Sequence, residues 1–143
     1  MDEAGRGPLA GPVTASAVLY KDFNFQIPEE LEKDFVLIRD SKKLSEKQRE
    51  KIFILIEKYF YTGIGIVNAE TIDRINILQA TFLAMKVAIA DLRRQLPVTS
   101  NQLLEETRTD ERMYLLIDGN QTIPSCSYRQ EAIVNGDGIV KSI

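Results

Sequence analysis

Acidic residues stand in this sequence where apolar runs give way to glycine. Asp2 and Glu3 open the chain and lead into Gly5-Arg6-Gly7; Asp118 follows the apolar run 113–117 and precedes Gly119; Asp137 lies between Gly136 and Gly138. Sites in α/β sheets form just outside strand ends. Carboxylates gathered there raise each other's pKa and cannot all stay ionised without a cation. A pair of Mg²⁺ ions about 4 Å apart satisfies that need and clamps the attacking and leaving oxygens of a phosphodiester. For Asp118 or Asp137 alone, Asp-Gly is also ordinary turn chemistry. For all four acids together that reading weakens, because a neighbouring glycine also lets a ligand crowd the backbone.

The rest of the composition narrows the chemistry. There is no histidine and a single cysteine, Cys126. Ser-His-Asp and Cys-His catalysis, His-ligated zinc and cysteine clusters are therefore excluded. The agents left are Asp, Glu, Lys, Arg, Tyr, Ser and a hard metal held by oxygen. A net charge of −3 gives no global basic field, so a nucleic-acid contact has to come from a local patch. The length of 143 residues fits one domain, residues 1–143. No apolar run approaches a membrane span, no secretory signal is visible, and a lone cysteine suits a reducing cytoplasm, so a cytoplasmic protein away from membranes is expected.

Two stretches could meet a phosphate. Gly5-Arg6-Gly7 is not a P-loop, because no Gly-Lys-Ser/Thr follows. Nor is it a dinucleotide fingerprint, since its glycines are wrongly spaced and open a strand. It is either a tight turn with a solvated arginine or a backbone able to press against a sugar, with Arg6 near a phosphate. The stretch 39–51, RDSKKLSEKQREK, holds six of the 18 basic residues. Lys47, Arg49 and Lys51 suit a solvated helix face. Lys42 and Lys43 precede the helix N-terminus, where the dipole does not favour lysine, so an external anion is inferred.

These residues need elements to place them. VTASAVLY at 13–20 reads as a buried strand. A helix is expected over 45–60, capped by Ser45 with Gln48 as its capping-box partner and burying Ile52, Leu55, Ile56 and Tyr59. YTGIGIV at 61–67 alternates as a strand. A short helix over 69–74 leads to a longer one over 77–95, with Leu78, Phe82, Met85, Ile89 and Leu92 inward and Pro97 just beyond its end. Residues 98–111 read as a polar loop, and strands are expected over 113–117 and 129–134. Residues 21–38 are mixed. Strands interspersed with helices argue an α/β layered fold.

Together the motifs resemble bacterial ribonuclease HII, the type 2 ribonuclease H. The resembling segments are DEAGRGPLAGPV at 2–13, DSKKLSEKQREK at 40–51, IDRINILQATFLAMKVAI at 72–89, LIDGN at 116–120 and GDGIVKSI at 136–143. Arg6 separates it from the related ribonuclease HIII, which differs at this glycine-flanked position. The resemblance implies a ribonuclease H-like fold, a mixed five-stranded sheet flanked by helices. It implies endonucleolytic cleavage of RNA paired with DNA, and of single ribonucleotides in duplex DNA, leaving 5′-phosphate and 3′-hydroxyl ends. By motif match, Asp2, Glu3, Asp118 and Asp137 are the catalytic, metal-binding carboxylates for two Mg²⁺ or Mn²⁺ ions. Gly5, Arg6 and Gly7 sense the ribose 2′-hydroxyl, Ser41 and Lys42 contact phosphate, and Lys43 is adjacent. No obligate protein partner is implied. Family members carry more residues before Asp2 and helices after 143. The resemblance therefore implies a first strand that is incomplete and C-terminal helices that are lacking. The alternative reading is a non-catalytic, truncated relative that retains weak metal or hybrid binding. A generic Mg²⁺ phosphotransferase would need an ATP-binding loop, and none is present.

Overall fold

The computed structural model describes residues 1–22, 26–38, 43–97 and 113–136. The expected polar loop, Ser41, Lys42 and Asp137 lie outside the described residues. The chain forms strands β1 (Asp2–Ala4) and β2 (Val13–Tyr20), a 3₁₀ turn (Glu29–Leu31) and helices α1 (Glu32–Phe35) and α2 (Glu46–Tyr59). Strand β3 (Phe60–Val67), helices α3 (Ala69–Ile75) and α4 (Ile77–Gln95), and strands β4 (Tyr114–Asp118) and β5 (Arg129–Ile133) follow.

The strands make two ladders. Strands β1, β2 and β3 run antiparallel in that order, with Asp2 opposite Ser16 and Val13 opposite Val67; β4 and β5 are parallel, with Asp118 opposite Ile133. Met1 joins them. Its ammonium donates to the Leu116 carbonyl at 2.7 Å, and its carbonyl accepts the Asp118 N–H at 2.9 Å. Accepting and donating on either side of Ile117 is the slanted pattern of a parallel pair. The strands therefore follow the order β3-β2-β1-β4-β5, a mixed five-stranded sheet.

The alternation of β2 decides which face is core. Val13, Ala15 and Ala17 are buried at every second position, and their β3 partners are Val67, Gly65 and Gly63. Helix α4 lies on that face with Ala80, Ala84, Met85, Ala88, Ile89 and Leu92 buried. The approach is close: a Cβ at Gly65 would collide with the Ala84 carbonyl oxygen, and one at Gly63 with the Ala88 carbonyl oxygen. Met1, Leu115, Ile117 and Ile123 belong to the same core. A second cluster of Phe35, Leu55 and Phe60 packs α1 and α2 toward Val18 and Tyr20, on the other face and at the far end of the sheet.

Local chemistry sets the helix ends. Ser45 caps α2 reciprocally: its hydroxyl accepts the Gln48 N–H at 3.4 Å, and the Gln48 side chain accepts the Ser45 N–H at 2.9 Å. Asn76 ends α3 at φ 69° and caps α4 by accepting the Gln79 N–H. With ψ at 163°, this backbone conformation is one that L residues rarely adopt. At the free edge of β3, Asp91 accepts the Ile64 N–H and Gln95 donates to the Thr62 carbonyl, so α4 covers ladder groups that would otherwise template another strand.

Candidate active site

The site is built at the ends of β1 and β4, which the Met1 hydrogen bonds place side by side. The pleat sends the two opening acids apart. Asp2 shares a face with Ser16, and Glu3 shares a face with Ala15, which is the α4 side. Met1 is centred on Ile117, so Asp2 and Asp118 come next in register on their two strands. They fall together on the face opposite α4.

Asp2 and Asp118 feel each other. Burial raises the pKa of the Asp2 carboxyl, and the charges of Asp118 and Glu3 push it the same way. A hydrogen bond from the Glu3 N–H to Asp2 Oδ1, at 2.7 Å, and the Met1 ammonium offset part of this. The Met1 ammonium has its own pKa lowered by burial, with Asp2 and Asp118 acting against that. Asp118 Oδ1 accepts the Gly136 N–H at 2.6 Å. Gly119, at φ 117°, turns the chain immediately after Asp118, and its N–H donates to the Ile133 carbonyl. The segment after β5 thus returns to the end of β4, and the residue preceding Asp137 touches Asp118.

Glu3 does not join this pair. Its Oε1 lies 3.1 Å from Arg6 Nη1, an ion pair across the turn that ends β1. Gly5 forms that turn at φ 99°, with a Cβ there blocked by the Pro12 carbonyl oxygen. Gly7 differs, because nothing lies within 4 Å of where its Cβ would stand. Gly5 is a conformational requirement, whereas Gly7 borders open space. Lys43 is exposed, two residues before the α2 cap.

Among the described residues, no three Asp, Glu, His or Cys side chains are arranged to hold a metal ion. The donor chemistry nevertheless suits a hard divalent cation. It consists of carboxylate oxygens alone, and two of them share one sheet face with a burial penalty on Asp2 that a cation would relieve. The Arg6–Glu3 pair and the Gly136–Asp118 hydrogen bond escaped the sequence reading. Opposite charges three residues apart across a glycine turn could have signalled the first; nothing local signals the second.

A mixed β3-β2-β1-β4-β5 sheet with acids on its central strand β1 and on the neighbouring β4 defines a ribonuclease H-like α/β protein. A chain of the solved PCNA:RNase HII complex from Archaeoglobus fulgidus shares this fold with a TM-score of 0.59 and 22% identity, over 99% of this chain and 65% of that one. The family model described as Ribonuclease HII matches residues 1–140, and the chain belongs to the ribonuclease HII family. It is 43% identical to the ribonuclease HII of Fusobacterium nucleatum over all 143 residues, which cover 57% of that protein. It is 44% identical to those of Endomicrobium trichonymphae and Clostridioides difficile over 140 residues, covering 54% and 44% of them. The chain spans about half the length of these curated relatives.

Proposed function

We propose that this chain carries the metal-binding site of an endoribonuclease acting on RNA–DNA hybrids and on single ribonucleotides within duplex DNA. The observation that carries the reading is the placement of Asp2 and Asp118 on neighbouring strands of one sheet face, beside the Gly5-Arg6-Gly7 turn. Asp2, Glu3, Asp118 and Asp137 would hold two Mg²⁺ or Mn²⁺ ions. Such ions, when bound, supply charge neutralisation at the phosphate and activation of water. The protein's own part is to fix the carboxylates and to orient the nucleic acid. The open space at Gly7 lets a sugar approach the backbone, and the 2′-hydroxyl is the group that separates RNA from DNA. Ser41, Lys42 and Lys43 would hold a backbone phosphate ahead of α2. Hydrolysis on the 5′ side of the ribonucleotide leaves 5′-phosphate and 3′-hydroxyl ends.

No helix among the described residues is long and apolar enough to cross a membrane. On the proposed reading the protein acts in the cytoplasm, in DNA replication and repair, with nucleic acid as its partner.

The direct assay is incision of a DNA duplex containing one ribonucleotide, in Mg²⁺ or Mn²⁺, with Asp118→Asn as control. Metal-dependent cutting at that ribonucleotide, lost in the variant, supports the reading. A second reading is a non-catalytic, truncated relative that retains only weak metal or hybrid binding. Hybrid binding without incision would select it. Neither binding nor incision would overturn both.

A further inference from the structure

The sheet face opposite α4 is covered along only part of its length. We propose that its bare part, at Ile64 and Ile66 of β3, is the seat of an amphipathic helix supplied by the share of the longer relatives' chain that these 143 residues do not span. Seating of this helix is a matter of packing and does not depend on the metal-dependent reading above.

Burial falls along a single strand. On this face β3 presents Phe60, Thr62, Ile64 and Ile66. Phe60 is 4% exposed in the cluster that docks α1 and α2, whereas Ile64 and Ile66 are 51% and 61% exposed. Isolated surface isoleucines need no explanation. These two are neighbours on one face of an α/β sheet, a layer that is stable when helices cover both of its sides. Beside them the side chains are small: Ser16 and Thr14 on β2 lie opposite Ile64 and Ile66, and Ala4 on β1 lies opposite Thr14. Two tall residues beside a low floor make a shelf for a helix, as Gly63 and Gly65 do for α4 on the other face. A second copy of the chain is a poor occupant. A stable dimer buries about 800 Å² per partner, and two half-exposed isoleucines fall far short of that. A copy would also bring its own acids to a face that already carries Asp2 and Asp118. A segment of the same chain needs no such area, because its tether supplies a high effective concentration. Length and place fit as well. The 143 residues cover 57% of the Fusobacterium nucleatum relative and the match to that of Endomicrobium trichonymphae covers 54%, so those proteins hold further chain. The described chain reaches Gly136 beside Asp118, on this face and three strand spacings, about 14 Å, from Ile64. A helix of about ten residues is about 15 Å long and crosses that distance.

Thiol labelling tests the seat without any measure of activity. On a Cys126→Ser background, Ile66→Cys probes the bare face and Phe53→Cys, at a position 59% exposed on α2, is the control. In the 143-residue chain both should react readily with a maleimide. Grafting on the residues that flank the matched stretch in the Fusobacterium nucleatum relative should slow Ile66→Cys by roughly tenfold or more and leave Phe53→Cys unchanged. Ile66→Cys that stays fully reactive in a cooperatively folding graft overturns the proposal, as does equal slowing at both positions. Slowing in the 143-residue chain that grows with protein concentration, alongside a dimer in sedimentation, makes a second copy the occupant and overturns it too. Where the graft does not fold, the two cysteines are placed at the aligned positions of the whole Fusobacterium nucleatum protein. Slow labelling at the Ile66 position alone then supports the seat, and equally fast labelling at both overturns it.

Discussion

Asp2 shows how a candidate site residue can work against its own fold. Its carboxyl has a raised pKa, first through burial and then through Asp118 and Glu3. A carboxyl whose pKa is higher folded than unfolded favours the native state when protonated. Its contribution is fully present below the unfolded value, near 3.8, and is lost as pH rises through the folded value. In the metal-free protein, Asp2→Asn should therefore raise the melting temperature at pH 7, by roughly 2–8 °C if the gain is near 1 kcal/mol, and should change it little at pH 3. The same variant should cut ribonucleotide-containing duplex more slowly by about 100-fold or more, beyond the 10–100-fold expected of groups that only support a ligand. A variant no more stable at pH 7 than the unmodified chain would show that burial costs Asp2 nothing. The two glycines of the turn separate in the same way. Gly5→Ala forces a Cβ into the Pro12 carbonyl from a left-handed backbone and should cost about 2 kcal/mol or more. Gly7→Ala meets nothing within 4 Å and should leave stability within about 0.5 kcal/mol. Gly7→Ala should still slow incision, by roughly tenfold or more, if a sugar occupies that space; normal rates in a normally stable Gly7→Ala protein would remove Gly7 from substrate recognition.

The helix–sheet contact is the element on which the site rests, and its decisive residues are small. Gly63 and Gly65 of β3 meet Ala84 and Ala88 of α4 so closely that neither glycine has room for a Cβ. Gly65→Ala should destabilise the protein by about 3 kcal/mol or more, since both obstructing groups are backbone and cannot swing aside. Chemical denaturation would read this as a lower midpoint at unchanged slope; a loss under 1 kcal/mol would mean that α4 lifts without cost. Much of this architecture was legible in the sequence. A run of small, apolar and β-branched residues placed β2 at 13–20, the Ser45–Gln48 spacing placed the start of α2, and the 3.6-residue period gave the large inward residues of α4, of which Phe82, Met85, Ile89 and Leu92 are buried and Leu78 is half-buried. What periodicity could not reveal was that Ala84 and Ala88 make the closest approach, because alanine and glycine carry little hydrophobic signal and matter only through what faces them. The segment 21–38 had no clear period either, and its 3₁₀ turn and α1 follow from docking Phe35 against Leu55 and Phe60. At the site, the motifs named the acids, but the face on which each one lies depended on the Met1 splice, a pairing between residues more than a hundred positions apart that no local pattern encodes.

At the scale of the whole molecule, the open question is whether two ladders joined through one residue unfold as one. Among the described residues the hydrogen bonds between them run through Met1, to Leu116 and Asp118, and at about 1 kcal/mol each those bonds could not hold the halves together. The core can. Val13 and Ala15 of β2, Met85 and Ile89 of α4, and Leu115, Ile117 and Ile123 from the β4–β5 half are all buried in a single cluster. Opening the β4–β5 half would expose Ile117 and Ile123, each only 1% accessible in the fold. Burying one such side chain contributes about 1.5–3 kcal/mol, so two of them outweigh the splice. The halves should therefore unfold together, and Cys126 makes this measurable. It lies between β4 and β5, partly buried against the same cluster. Its thiol should become reactive at the same denaturant concentration at which far-UV circular dichroism loses the signal of α4, as coincident probes require of a two-state transition. Ile117→Ala should shift both curves together, by the 2–5 kcal/mol typical of emptying a core site. If Cys126 became reactive while α4 kept its helical signal, the β4–β5 half would be a separately opening unit. Asp118 would then leave Asp2 before the rest of the protein unfolded, and metal binding by both acids would be the interaction that holds the two halves in register.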